Sequence, residues 1–219
     1  MNIIFQNENL IVCEKPEGVL SQFDEKKENM VSLLTDITRC DVFPVHRLDK
    51  PSSGIMVYAK DNKTACILSE QIRNGDFIKK YLVCVHSKPS KEGIMTDFLF
   101  FDKKADKSYV VKKERKGVKK AELEYKTLES AVIENQTYSL VNVLLKTGRT
   151  HQIRAQFASR KMPVAGDRRY GAKDNFKSLA LFSSQISFKN PVNNEFMHFK
   201  ILPESSVFQH FKTINDNKI

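Results

Sequence analysis

The stretch Val45-His46-Arg47-Leu48-Asp49-Lys50-Pro51-Ser52-Ser53-Gly54 sets a histidine, an arginine and an aspartate within four consecutive residues. It lies between two apolar runs, Val42 to Val45 and Ile55 to Ala59. Charged side chains avoid interiors unless they are paired, so a charged loop held between apolar segments needs a reason. One reason is a plain turn, since Asp and Ser favour turns, Pro fixes φ and Gly supplies the exit. The other is a loop that presents charge for chemistry. Two further polar clusters bear on the choice. Lys79-Lys80-Tyr81 opens an apolar strand, and Lys146-Thr147-Gly148-Arg149-Thr150-His151-Gln152-Ile153-Arg154 joins a strand to a helix. A basic, glycine-containing turn at a helix N-terminus suits a phosphate, because free N–H groups and the helix dipole both favour anions. Its glycine and lysine spacing does not make a nucleotide P-loop. His46 and His151 read as hydrogen-bonding organisers of their loops; as a nuclease pair they would lack accompanying metal carboxylates.

These clusters need elements to hold them. Asn2 to Phe5 and Leu10 to Cys13 read as a hairpin about Gln6-Asn7-Glu8-Asn9, stopped by Lys15-Pro16-Glu17-Gly18. Met30, Leu33, Leu34 and Ile37 recur at helical spacing over Asn29 to Ile37. Asp61 caps a helix that ends at Asn74-Gly75. Phe77 to His86, Ala121 to Leu128, Tyr138 to Leu145, Leu179 to Phe188 and Phe196 to Leu202 alternate as strands. Thr150 is the expected cap of a helix over His151 to Arg160. Ser205 to Phe211 reads as a last short helix, with fraying after Thr213. Hairpin-linked strands with interspersed helices indicate an α+β fold with a mainly antiparallel mixed sheet flanked by helices. No repeat or linker divides residues 1–219, so a single domain is expected.

Composition narrows the partner. The 219 residues carry 36 Lys and Arg against 26 Asp and Glu, a net charge of +10, which favours a polyanion: nucleic acid first, an anionic membrane surface second. Nine of those cations fall between Asp102 and Lys120, a segment that is either a solvated hairpin or one that wraps a phosphate backbone. Cys13, Cys40, Cys66 and Cys84 show no C-x-x-C spacing, which argues against a zinc or redox motif. The N-terminus has no basic start with a long apolar run, and no stretch is long enough to span a bilayer. A cytoplasmic protein with reduced thiols is the expectation.

Taken together, the three clusters resemble the RluA-type RNA pseudouridine synthases. The family's His-Arg-Leu-Asp signature is similar to His46-Arg47-Leu48-Asp49, with Ser52-Ser53-Gly54 where Thr-Ser-Gly is usual. Its strand motif resembles Lys80-Tyr81, and its third motif resembles Thr147 to Arg154 followed by Pro163-Val164-Ala165-Gly166-Asp167-Arg168-Arg169-Tyr170-Gly171. Asn9 to Gly18 resembles its opening strand and Lys-Pro-x-Gly turn. The resemblance implies an isomerase that converts uridines of ribosomal or transfer RNA to pseudouridine, and a pseudouridine synthase catalytic fold with no separate N-terminal RNA-binding domain. It implies Asp49, Tyr81 and Arg154 as the catalytic residues: a carboxylate that attacks or stabilises the sugar, the ring on which the base stacks, and the carboxylate's cationic partner. Arg47 corresponds to an arginine that takes the space of the flipped nucleotide. His46, Arg149, His151, Gln152 and Leu181 are expected to bind RNA or substrate, although the residues alone favour strand core over a base contact for Leu181. No cofactor or metal is called for, and a monomer is expected. Arg154-Ala155-Gln156, Leu181-Phe182-Ser183 and Asn190-Pro191 depart from commoner family patterns and leave the RNA target open. The rival reading is a catalytically idle RNA-binding or RNA-folding protein on the same scaffold.

Overall fold

Asn7 makes the first turn: its Oδ1 accepts from the N–H groups of Asn9 and Leu10, each at 2.9 Å. β1 (Asn2–Gln6) thereby folds back on β2 (Leu10–Lys15) as an antiparallel pair. The computed structural model describes residues 2–216 and divides into two compact units. One unit is Met1–Lys79 with Phe182–Ile201; the other is Lys80–Leu181 with Leu202–Ile219.

In the first unit, β2 pairs with β4 (Ser53–Ala59), an antiparallel match running from Leu10 opposite Ala59 to Lys15 opposite Gly54. The short β3 (Phe43–Pro44) lies antiparallel to the end of β4. Late in the chain, β10 (Leu181–Lys189) joins β4 in parallel, and β11 (Phe196–Lys200) pairs back on β10. Gly54 is required at the parallel contact. Its φ is +115°, and a Cβ there would collide with the backbone of Ser183. Two helices complete the unit: α1 (Met30–Thr38), whose N-cap is Asn29, and α2 (Asn62–Asn74). Asp61 caps α2 through a 2.7 Å bond from the N–H of Thr64, as its position before an apolar-periodic run dictates. Leu68 of α2 packs among Leu10, Val12, Ile55, Val57 and Phe188, the inward residues of three strands. Each such buried aliphatic side chain is worth about 1.5–3 kcal/mol over an exposed one.

The second unit is an antiparallel sheet in the order β5-β9-β8-β6-β7, with β5 at Ile78–His86, β6 at Glu92–Asp102, β7 at Lys107–Val111, β8 at Val118–Ile133 and β9 at Gln136–Leu145. α3 (Gln152–Ser159) packs on it through Ala155 and Ala158, against Leu99 of β6, Val110 of β7 and Ala121 of β8. The α+β, mainly antiparallel mixed architecture expected from the hairpin pattern is the one that folds.

Three local expectations need correction. Thr150 does not cap α3. The cap is His151 in the left-handed region (φ 52°), and no side chain caps the helix from that position. The Thr150 carbonyl instead accepts from the Ser108 hydroxyl at 2.5 Å. Ser205 to Phe211 is not one helix but ends in a 3₁₀ turn, Phe208–His210. A short α4 (Lys212–Asn215) follows it, where fraying was expected. The Glu129 carboxylate anchors α4 by accepting from the N–H groups of Lys212 and Thr213, which the sequence pattern could not show. The rest of the expected frayed tail lies outside the described residues.

Candidate active site

In the first unit, Asp49 sits on a loop fixed on both sides of it. Before it, the Ser21 hydroxyl donates to the Leu48 carbonyl (2.8 Å) and accepts from the Leu48 N–H (3.0 Å). Ser21 is itself held, its carbonyl accepting from the Tyr58 hydroxyl at 2.9 Å. After it, the Lys50 carbonyl accepts from the Gly18 N–H at 2.9 Å and from Lys15 Nζ at 3.2 Å. The Asp49 carbonyl accepts from Ser52 N–H at 2.9 Å, closing the turn. These bonds fix the backbone that carries the Asp49 side chain.

Lys15 is the least expected member of this arrangement. It is fully buried, and its ammonium also donates to the carbonyls of Pro16 (2.8 Å) and Val19 (2.7 Å), so three acceptors meet its three donors. Burial pushes its pKa down to about 8, while the nearby carboxylates of Asp49 and Glu17 oppose the shift. The sequence pattern displayed Lys15 only as part of a Lys-Pro-x-Gly turn. Its signal was position: a lysine closing an apolar strand must bury its head or bend away.

His46 and Arg47 take different parts in the same loop. His46 Nε2 accepts from the Val57 N–H at 3.0 Å, and its ring lies 5.5 Å from that of Phe77. Burial, assisted by the charge of Lys79, pushes its pKa down to about 3, so the imidazole is neutral and its proton resides on Nδ1. His46 therefore ties the loop to β4. Arg47 is exposed and directed to solvent-accessible space.

In the second unit, the strand-to-helix junction gathers Arg149, His151, Gln152 and Arg154. Gln152 is its organiser. Its Oε1 accepts from the Thr147 hydroxyl (2.8 Å) and the Arg149 N–H (3.0 Å), while Nε2 donates to the Glu122 carbonyl (3.0 Å). Arg149 is exposed and donates from Nε to the Lys120 carbonyl at 2.9 Å. His151 packs edge-on against Phe101 and Tyr170.

Arg154 is buried and gripped. Its Nε donates to Asp167 Oδ2 at 2.7 Å and its Nη2 to Oδ1 at 2.9 Å, a bidentate pair with side chains 5% and 2% exposed. The guanidinium carbon stands 4.9 Å from the Tyr170 ring centroid, within range for cation–π attraction. Tyr170 is fixed in turn: its hydroxyl accepts from the Ser108 N–H at 2.7 Å and lies 3.2 Å from His151 Nδ1. Asp167 and Tyr170 thus set the plane of Arg154. Both stood within the Gly-Asp-x-x-Tyr-Gly segment, but nothing in their spacing tells which side chain they serve. Gly166, at φ +78°, permits this turn, since a Cβ would strike the Ser178 carbonyl.

Tyr81 lies on β5 opposite Val143 of β9 and is 5% exposed. Leu181 is equally buried, at the start of β10. Among the described residues no three His, Cys, Asp or Glu side chains are grouped as metal ligands. The first unit thus carries Asp49 on a pinned loop, and the second holds the Arg154 guanidinium in a fixed plane.

Comparisons with known proteins agree on one family. The family model described as RNA pseudouridylate synthase matches residues 9–159. tRNA pseudouridine synthase C of Haemophilus ducreyi is 30% identical over 98% of this chain and 87% of its own length. Ribosomal large subunit pseudouridine synthase D of Borreliella burgdorferi is 32% identical over 90% of this chain and 63% of its own. Among solved structures, Human RNA Pseudouridylate Synthase Domain Containing 4 superposes with a TM-score of 0.75 at 21% identity, covering 95% of this chain and 90% of that one. That last likeness speaks to fold alone.

Proposed function

Because the chain belongs to the RNA pseudouridylate synthase family, and is therefore an isomerase acting on RNA, we propose that it converts specific uridines of transfer or ribosomal RNA to pseudouridine through Asp49. The observation that carries this is the loop itself: Asp49 is flanked by Leu48 and Lys50, each tied down by bonds from Ser21, Gly18 and Lys15. A reacting carboxylate must be held to within fractions of an ångström, and a surface turn needs no such bracing.

The reaction breaks the bond from sugar C1′ to base N1, turns the detached base and joins C1′ to C5. The proton on C5 is then lost to solvent, and the freed N1 takes one up in its place. Asp49 supplies the electron pair, either attacking covalently or stabilising the positive charge that develops. Arg154 is the cationic partner that keeps a carboxylate ionised away from water. Tyr81 offers its ring to the base, which must leave the RNA stack to be reached. Exposed Arg47 occupies the place the nucleotide vacates, and exposed Arg149 meets phosphate. His46, His151 and Gln152 serve RNA binding by shaping their loops, and Leu181 by lining the strand. Residues 1–219 act as one catalytic domain and as a monomer. The chemistry asks for no metal or redox cofactor.

The test is tritium release from RNA labelled at uridine C5, with transfer RNA and ribosomal RNA transcripts supplied separately. Release from one class is expected, unchanged by chelator, with pseudouridine mapped to discrete positions. Binding of both classes without release would support an idle RNA-binding scaffold instead.

A further inference from the structure

Strand register sorts the residues of β6, β7 and β8 onto two faces. Directly opposite residues share a face, and successive residues alternate. Leu99, Val110 and Ala121 point to α3, where they pack with Ala155 and Tyr170. The other face carries Phe98 opposite Val111 and Lys120, and Phe100 opposite Tyr109. Among the described residues of this unit, α3 packs on the first face, and α4 meets β8 through Glu129, beyond the stretch that pairs with β6. Tyr109 is 42% exposed and Ile94, further along β6, 67%. Phe98 and Phe100 are half-buried. A row of aromatic side chains on an outward sheet face marks an interaction surface where singly scattered apolar residues would not.

The surrounding charge selects that occupant. Residues 102–120 hold nine Lys and Arg against three Asp and Glu, six of the chain's ten net positive charges. The cations are interleaved with the rings. The Arg115 guanidinium lies 5.5 Å from the Phe100 centroid, and Lys107 Nζ, at the strand end, lies 5.0 Å from the Tyr170 centroid and 5.5 Å from that of Tyr109. Lys120 has an acidic neighbour, Glu122 at 3.1 Å, but this is an exposed pair that yields readily to a phosphate. A second copy of the chain would bring the same positive field against itself. A polyanion with exposed π-faces satisfies both the charge and the rings.

Resting on the family's action on RNA, we infer that the outward face of β6, β7 and β8 is a stacking platform for unpaired bases of the substrate RNA, flanked by cations that hold its backbone. Bases of a loop or single strand stack on Phe98, Phe100 and Tyr109, and Lys107, Arg115 and Lys120 meet the phosphates. The platform selects unpaired over duplex RNA and is indifferent to which base stacks, because every base has a π-face.

Fluorescent oligouridine and a blunt RNA duplex of equal length are the probes, each titrated against wild-type protein, Tyr109→Ala and Phe98→Leu. Both variants should bind oligouridine about tenfold more weakly, with duplex affinity and the salt slope unchanged, since a ring carries no charge. Lys120→Ala should instead lower the salt slope for both probes. Photocrosslinking of 5-bromouridine RNA to the wild-type protein should label the peptide spanning residues 98–111. Unchanged oligouridine affinity in both variants, or crosslinks confined to other peptides, would overturn the platform. A variant-sensitive dimer in sedimentation would assign the face to self-association instead. Binding and tritium release are read separately. A chain that binds RNA here but releases no tritium counts against the function alone, and one that releases tritium with indifferent variants counts against the platform alone.

Discussion

At the scale of single residues, Asp49 and Arg154 each owe their position to neighbours within their own unit. Asp167 and Tyr170 hold Arg154 in a buried bidentate pair and beneath a ring. Neutralising one half of such a pair leaves a buried charge uncompensated, at a cost of about 3–5 kcal/mol. Asp167→Asn should lower the stability measured by urea unfolding by that order and reduce turnover more than RNA affinity. A change under about 1 kcal/mol would mean that the pair is dispensable. Lys15 makes the corresponding prediction for the Asp49 loop. Its native pKa, near 8, lies below the usual lysine value of 10.5. Between those limits the unfolded chain holds a proton that the native state has released, so stability rises with pH across that window, and the charging cost is present in full below it. Unfolding measured from pH 7 to 10.5 should show this rise in the wild type, while Lys15→Met removes it. Parallel pH profiles for the two proteins would remove Lys15 from the account.

At the scale of elements, the parallel contact between β4 and β10 is the constraint on the loop that feeds β4. Gly54 lies against the Ser183 backbone with a φ that other residues rarely adopt. Gly54→Ala should therefore destabilise the fold by about 2 kcal/mol or more in thermal unfolding. A change of a few tenths would show that the strands can separate locally. The same elements show why some of the structure was readable in advance. Asp61 before a run of helical periodicity, and Asn7 between two apolar strands, are local signals whose partners lie within three residues. His151 could not be read in that way. Its left-handed conformation depends on Ser108 taking the Thr150 carbonyl and on Gln152 reaching Glu122, contacts made across 42 and 30 residues. The charged loop and the basic strand-to-helix junction were visible as residue types in order. Lys15, Asp167 and Tyr170 acquire their meaning only from side chains that folding brings to them.

At the scale of the whole molecule, chain order links the two units. The first unit's sheet needs β10 and β11, which the chain supplies only after it has traced the strands of the second. Calorimetry should accordingly show a single transition whose measured and van't Hoff enthalpies agree. Two resolved transitions would show that the units unfold independently. The charge of +10 serves the molecule as a whole by drawing in a polyanion, and it leaves the choice of reaction to a few side chains. Asp49 is the side chain proposed to perform that reaction. The most direct test of that role is single-turnover release of tritium from C5-labelled RNA by Asp49→Asn, with RNA affinity measured on the same preparation. Release should be abolished while affinity stays within a few-fold of the wild type. Continued release by the variant would contradict that role.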